Sequence, residues 1–334
     1  MMLGRTEVAV TALGFGTAPI GNLYRAVPDE RAAATVAAAW DAGVRYFDTA
    51  PHYGLGLAER RLGEVLAGYP RDEYVVSTKV GRLLVPNPDG VGRTDLDNGF
   101  DVPADLRRAW DLTADGIRRS LDESLGRLGL DRVDVALIHD PDESDAPETA
   151  LTGAYPALRE LRAQGVVGAI GIGSKQPAIL RRFVEETDLD VIMLAGRYTL
   201  LEQPALDDLL PSCQRRGVSV VNVGVFNSGL LATDWPEQDA HYEYDAAPTD
   251  LIDRARRIAS VCRRHGTALP QAALAFAAAY PSMASVVVGA ERPEHMRRNA
   301  ELFAAPPPAP LWADLVAEGL LRADAPIPSP TAAA

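Results

Sequence analysis

Eight short apolar runs recur along this 334-residue chain with helix-like segments between them, and that alternation constrains the fold more than any other feature. The strand-like runs cover residues 13–17, 44–48, 74–79, 133–139, 169–174, 190–194, 218–222 and 285–288. Helical periodicity marks 29–42, 58–67, 113–128, 151–164, 177–186, 204–216, 251–265, 270–279 and 293–303. The first of these has a start signal at Pro28-Asp29 and a stop at Gly43. Strands that alternate with helices imply a parallel sheet with crossover helices, and eight is the number that closes a (β/α)8 TIM barrel.

An alternating stretch at 7–11 predicts a hairpin that plugs the barrel floor. Two long insertions, 81–108 after the third strand and 226–250 after the seventh, fall where loops line the mouth at the C-terminal face. They are expected to shape the substrate pocket. No internal repeat or interdomain linker is visible, so residues 1–334 read as a single domain, with a proline- and alanine-rich tail at 306–334 that is expected to be partly ordered.

The 33 basic and 46 acidic residues give a net charge of -13, which argues against nucleic acid or an anionic membrane as partner. No window approaches the ~18 apolar residues of a membrane span, and the N-terminus carries no apolar signal core. A cytoplasmic protein acting on a small molecule is the expectation, as a monomer or a homo-oligomer. Cys213 and Cys262 fall inside predicted helices and read as reduced and buried. Only two lysines are present, Lys79 and Lys175, and both follow a strand-like run.

Polar residues stand where three strands stop: Asp48, Lys79 and His139, with His52 and Tyr53 just beyond the first of them. Free tyrosine titrates near ~10, too high for proton exchange near neutrality. An ammonium beside the phenol favours its anion, and an aspartate holds that ammonium in place and keeps it charged. Asp48, Tyr53 and Lys79 supply these roles, and His139 suits orientation of a substrate oxygen or a proton relay. Singly, each has an ordinary use as a turn, rim or buried residue; at the ends of consecutive strands they form a candidate catalytic set. His52 is assigned to the pocket wall, and Asp140 and Asp142 to a solvated loop. No strand carries an HxH pair and the histidines are scattered, so a metal site is not expected.

Leu13-Gly14-Phe15-Gly16-Thr17, Phe47-Asp48-Thr49-Ala50-Pro51-His52-Tyr53-Gly54 and Arg292-Pro293-Glu294-His295-Met296-Arg297-Arg298-Asn299 together resemble the aldo-keto reductases along nearly the whole chain. The resemblance implies an Asp, Tyr, Lys, His tetrad at Asp48, Tyr53, Lys79 and His139, and hydride exchange between NAD(P) and a carbonyl or alcohol. Ser124-Leu125-Gly126-Arg127-Leu128-Gly129-Leu130 and Leu137-Ile138-His139-Asp140-Pro141-Asp142 are similar to the aldose 1-dehydrogenase branch, which includes L-fucose, D-threo-aldose and L-galactose dehydrogenases and pyridoxal 4-dehydrogenase. For that branch the reaction implied is oxidation of a cyclic aldose at C1 to a lactone. An NADPH-dependent carbonyl reductase and a non-catalytic nicotinamide-sensing subunit are the alternatives.

The resemblance also implies cofactor contacts at Gly16, Thr17, Ser174, Asn227, Ser228, Gly229, Leu230, Gly289, Ala290, Arg292, His295, Arg298 and Asn299. Gly173 and Ser174 stand where the family usually holds the carboxamide with serine and asparagine, Ala195 stands for a glutamine, and Val223 for a stacking tyrosine. Gly289 and His295 occupy the places of a lysine and an arginine for the 2'-phosphate of NADP. A phosphate dianion wants charge-assisted donors, so the comparison favours NAD slightly over NADP.

Overall fold

The computed structural model describes residues 1–243 and 245–328. Twelve strands are present among them: β1 (Leu13–Gly16), β2 (Tyr46–Asp48), β3 (Val75–Val80), β4 (Arg82–Pro86), β5 (Leu106–Trp110), β6 (Val135–His139), β7 (Ala169–Ser174), β8 (Val191–Ala195), β9 (Ser219–Val223), β10 (His241–Tyr242), β11 (Asp245–Ala246) and β12 (Met283–Gly289). Eight of these close a parallel barrel in the order β1-β12-β9-β8-β7-β6-β3-β2. The expected (β/α)8 barrel is therefore the observed architecture. Its strands, covered on both faces, are near-continuous apolar runs such as the fully buried Val135-Ala136-Leu137-Ile138-His139.

Among the described residues, ten α-helices surround or follow the strands: α1 (Asp29–Asp41), α2 (Leu57–Leu66), α3 (Ala114–Leu128), α4 (Tyr155–Ala163), α5 (Pro177–Glu186), α6 (Leu209–Arg216), α7 (Thr249–Arg264), α8 (Leu269–Ala277), α9 (Pro293–Ala304) and α10 (Ala309–Ala317). Local signals set their ends. The Thr113 hydroxyl accepts from the Gly116 amide at the start of α3, and Gly129 closes that helix with a left-handed backbone at φ 64°. Two expected helices start differently from the sequence reading. Residues Ala150–Ala154 form a π-helical turn ahead of α4, and Pro204–Leu206 form a separate 3-10 turn ahead of α6.

Inside the barrel, Tyr46, Val135, Leu137, Val191, Met193, Val221 and Val287 pack with Leu3 and Val10 of the N-terminal turn. The expected hairpin at the barrel floor is present: Met1 and Val10 exchange backbone hydrogen bonds at 2.8 Å, an antiparallel bridge joins Met2 to Ala9, and the Leu3 amide donates to the Val8 carbonyl at 2.9 Å. The two insertions are partly regular. β4 and β5 pair antiparallel across the first, and β10 pairs β11 in the second. Burial, not composition, decides the 306–328 segment. Leu311, Trp312 and Leu315 of α10 are buried, and Arg254 Nη2 donates to the Leu320 carbonyl at 2.6 Å. The remainder of the predicted tail, 329–334, lies outside the described residues. Cys213 and Cys262 are both buried free thiols. Among the described residues, no helix is long and apolar enough to cross a membrane.

Candidate active site at the mouth of the barrel

Parallel pairing brings every strand's last residues to one rim, so register decides which side chains meet there. Asp48 ends β2 opposite Ser77 of β3, Lys79 stands beside Leu137, and His139 ends β6 opposite Gly173. Tyr53 arrives from the loop between β2 and α2. That loop is pressed against the β1 loop: a Cβ on Gly54, whose φ is +62°, would meet the Gly21 carbonyl oxygen at 2.2 Å.

The four expected tetrad members come together. Lys79 Nζ donates to Asp48 Oδ2 at 2.7 Å and to the Thr49 carbonyl at 3.0 Å. The second Asp48 oxygen accepts from Ser77 Oγ at 2.7 Å, and Ser77 in turn meets the Tyr46 hydroxyl at 3.0 Å. Lys79 Nζ also lies 4.7 Å from the centre of the Tyr53 ring. Burial works against the Lys79 ammonium, but Asp48 and Tyr53 outweigh it and hold it above the ordinary lysine range. Burial together with the charge of Asp48 raises the Tyr46 phenol, so this tyrosine stays neutral inside the barrel.

His139 is buried, with its ring 6.0 Å from that of Tyr53. Burial, then the nearby Arg82 and Lys79 charges, hold its imidazolium form well below the ordinary range, so the ring is neutral. Nε2 lies 3.2 Å from Asp140 Oδ2, while Nδ1 has no hydrogen-bond partner among the described residues. The solvated role expected for Asp140 and Asp142 does not hold. A left-handed backbone at Asp140, φ 37°, accompanies a carboxylate that meets both His139 and Arg82, whose Nη2 is 2.7 Å away. Asp142 accepts from Ser174 Oγ at 2.7 Å. Burial is the first cause that raises the Asp140 carboxyl, and Glu143 and Asp142 add to it against Arg82, to about 6.

His52, expected in the pocket wall, packs against the cluster, with ring centres 5.9 Å from Tyr53, 5.5 Å from His139 and 5.3 Å from Phe100. Burial and the surrounding Arg82, Arg108 and Lys79 charges push it down to about 2. The sequence reading missed Arg108 and Phe100, which come from the first insertion. No periodicity marks them; the only signal was the length and position of that insertion.

Beside this cluster runs a cleft of about 340 Å³. Of the residues predicted to hold a cofactor, Asn227, Ser228, Gly229 and Gly289 line it. Gly16 and Thr17 sit at the adjoining end of β1, with Thr17 Oγ1 buried and unpartnered among the described residues. Ser174 closes β7 with its hydroxyl engaged by Asp142. Leu230 and Ala290 are buried, which turns them toward packing. Arg292 caps α9 beside Glu291 and Glu294, at 3.4 and 3.9 Å. His295 and Arg298 are exposed on α9 and Asn299 half-buried, and none of these three lines the cleft. Pro19, Tyr24, Lys175 and Arg197 do line it and were not predicted. Lys175 alone had a signal, as one of two lysines at strand ends. Tyr24 stacks on His241 at 6.2 Å, and Arg25 pairs with Glu291.

A sequence profile of the Aldo/keto reductase family matches residues 12–315. Over 315 residues the chain is 54% identical to a D-threo-aldose 1-dehydrogenase of a Pseudomonas species, with 94% of this chain and 95% of that protein covered. It is 39% identical over 333 residues to the pyridoxal 4-dehydrogenase of Microbacterium luteolum, with 96% and 97% covered. The fold is shared with a glycerol dehydrogenase of Gluconobacter oxydans at a TM-score of 0.77 and 22% identity, covering 99% of this chain and 98% of that one. With strand-end geometry, barrel topology and a match spanning nearly the whole sequence in agreement, the chain belongs to the aldo/keto reductase family of oxidoreductases.

Proposed function

We propose that the protein is a nicotinamide-dependent aldose 1-dehydrogenase that oxidises a cyclic aldose at C1 to its lactone. Aldo/keto reductases use nicotinamide cofactors, and the cleft fits such a group. Successive left-handed residues Asn227, Ser228 and Gly229, at φ 47°, 57° and 99°, curve the backbone along one wall. A Cβ on Gly289 would meet Pro19 Cγ at 2.7 Å, and Asn227 Oδ1 and Thr17 Oγ1 are buried without partners among the described residues. Asn227, Ser228, Gly229 and Gly289 would hold the group. When bound, it supplies the acceptor or donor of hydride.

The buried Asp48–Lys79 pair set against Tyr53 carries this reading. Tyr53 Oη takes the proton of the anomeric hydroxyl as the C1–H bond breaks, and returns one in the reverse direction. Lys79 favours the phenolate, Asp48 keeps Lys79 charged and placed, and the neutral His139 ring orients the oxygen. The 54% identity to a D-threo-aldose 1-dehydrogenase supports an aldose over a simple aldehyde.

NAD is the preferred cofactor in this proposal. No lysine or arginine stands at position 289, and the carboxylates of Glu291 and Glu294 flank Arg292 and oppose a 2'-phosphate. The test follows NADH and NADPH absorbance against a panel of aldoses, pyridoxal and small aldehydes in both directions. Aldose oxidation with NAD is expected. Turnover confined to aldehyde reduction with NADPH would replace this reading by that of a carbonyl reductase.

A further inference from the structure

Arg108 lies at the end of the first insertion, 56 residues from His52 in sequence, yet its side chain grips that histidine at two points. Its Nε donates to His52 Nδ1 at 2.7 Å and its Nη2 donates to the His52 carbonyl, also at 2.7 Å. The third corner of the guanidinium is tied down: Nη1 donates to Asp95 Oδ1 at 2.7 Å and lies 2.6 Å from Oδ2. Asp95 is buried and further held by Asn98 Nδ2 at 2.8 Å. All three arms of a planar fork are thus committed, two to His52 and one to a buried carboxylate, an arrangement that a lysine could not reproduce.

The chemistry at the imidazole follows from the donor. A guanidinium has only N–H groups to offer, so His52 Nδ1 must be the bare, accepting nitrogen. Nε2 then carries the ring proton, and the ring is neutral and fixed in both tautomer and orientation. His139 differs, because its Nε2 is directed at the Asp140 carboxylate. His52 is the imidazole of the pocket whose donor is set by a cation instead, and its ring stands within 6 Å of both Tyr53 and His139.

We infer that Arg108 is a positioning residue that locks His52 as an Nε2–H donor to the hydroxyl on the carbon next to the reacting one, so that this pair selects polyhydroxy substrates. The inference rests on the aldose reading above. A simple aldehyde has no oxygen at that place, so it forgoes the hydrogen bond to this N–H that a polyhydroxy substrate makes. The pocket therefore discriminates by hydrogen bonding and not by size alone.

Two measurements test it on the full-length protein. Nitrogen-detected histidine NMR on the cofactor-free protein reads the His52 tautomer directly. The Nε2–H form is expected in the parent, and Arg108→Lys, which keeps a cation for Asp95, is expected to mix the tautomers and raise the imidazole's protonation midpoint. An Nδ1–H signature in the parent, or an unchanged spectrum in R108K, overturns the positioning role whatever the substrate is. The second measurement is the ratio of kcat/KM for an aldose over its 2-deoxy analogue. It is expected to fall roughly tenfold in Arg108→Lys and in His52→Phe, and to be largely restored in His52→Gln, which regains an N–H donor. A ratio unmoved in R108K and H52F overturns the selection role. Failure of the aldose reading is distinguishable: the parent then oxidises no aldose, while the tautomer measurement still decides whether Arg108 positions His52.

Discussion

Tyr53 carries the proposed chemistry through one atom, its phenolic oxygen, while its ring packs on Phe100 at 6.2 Å and edge-on against His139. Tyr53→Phe removes the oxygen and keeps the ring. Expected is a fall in kcat of about 10²–10⁴-fold, the usual worth of a positioned acid or base, with cofactor affinity retained in a fluorescence titration. Retained turnover would assign the proton transfer elsewhere. Asp140 makes a second test, with two readouts of opposite sign. Its carboxyl is raised from 3.8 to about 6, so the folded state binds that proton more tightly than the unfolded chain does. Its contribution to stability therefore grows as pH falls from about 6 toward 3.8 and is absent above that window. Activity runs the other way. Protonation on the way down through about 6 removes the charge from the acceptor that holds His139 Nε2 and weakens that hold, so kcat/KM is expected to decline there. In Asp140→Asn both dependences should flatten in that window, as read by pH–rate profiles and by melting temperatures taken at the same pH values. An unchanged profile would separate Asp140 from His139 function.

Elements deliver these residues by two kinds of fit. Strand register was legible from sequence: apolar runs ending in Asp48, Lys79 and His139 need only parallel pairing to reach one rim. The β2–α2 loop works by close backbone contact, which single-residue patterns do not reveal. Gly54→Ala places a methyl against the Gly21 carbonyl and a side chain at φ +62°. A cost of about 1–3 kcal/mol is expected, lowering Tm by roughly 1–4 °C in a chain of this size, with a further loss of kcat because Tyr53 moves with the loop. Gly129→Ala is the control. It bears a comparable φ of +64° with nothing within 4 Å of the added carbon, and it lies at the end of α3, so it should lose stability without losing kcat. Equal loss of kcat in both variants would reduce the loop to general stability. The same limit explains why Arg108 and Asp140 were misread or missed. Their partners depend on a hairpin fold and a left-handed turn, and neither leaves a periodic trace in the sequence.

At the scale of the whole molecule, the cleft draws on nearly the full length of the chain: Pro19 and Tyr24 after β1, Lys175 after β7, Arg197 after β8, Asn227 to Gly229 after β9, and Gly289 in β12. A ligand that spans it adds to the contacts by which the rim loops already meet, such as Arg25 with Glu291. Binding to the folded state alone stabilises it by mass action, about 2.7 kcal/mol at a hundredfold excess over Kd. At the usual unfolding entropy per residue, that is a rise in Tm of about 4 °C for 334 residues. The charges near α9 predict which cofactor gives the larger rise. Arg292 lies beside Glu291 and Glu294, whose carboxylates would repel a phosphate dianion and compete for the guanidinium, and Glu291 is also fixed by Arg25. NAD at a given concentration is therefore expected to raise Tm more than NADP. Glu291→Gln together with Glu294→Gln should narrow the difference, because those substitutions free Arg292 and remove the repulsion. A larger shift with NADP in the parent protein would mean that exposed Arg298 or Arg297 reaches the phosphate, and Arg298→Ala, by lowering the NADP shift selectively, would identify which of the two it is.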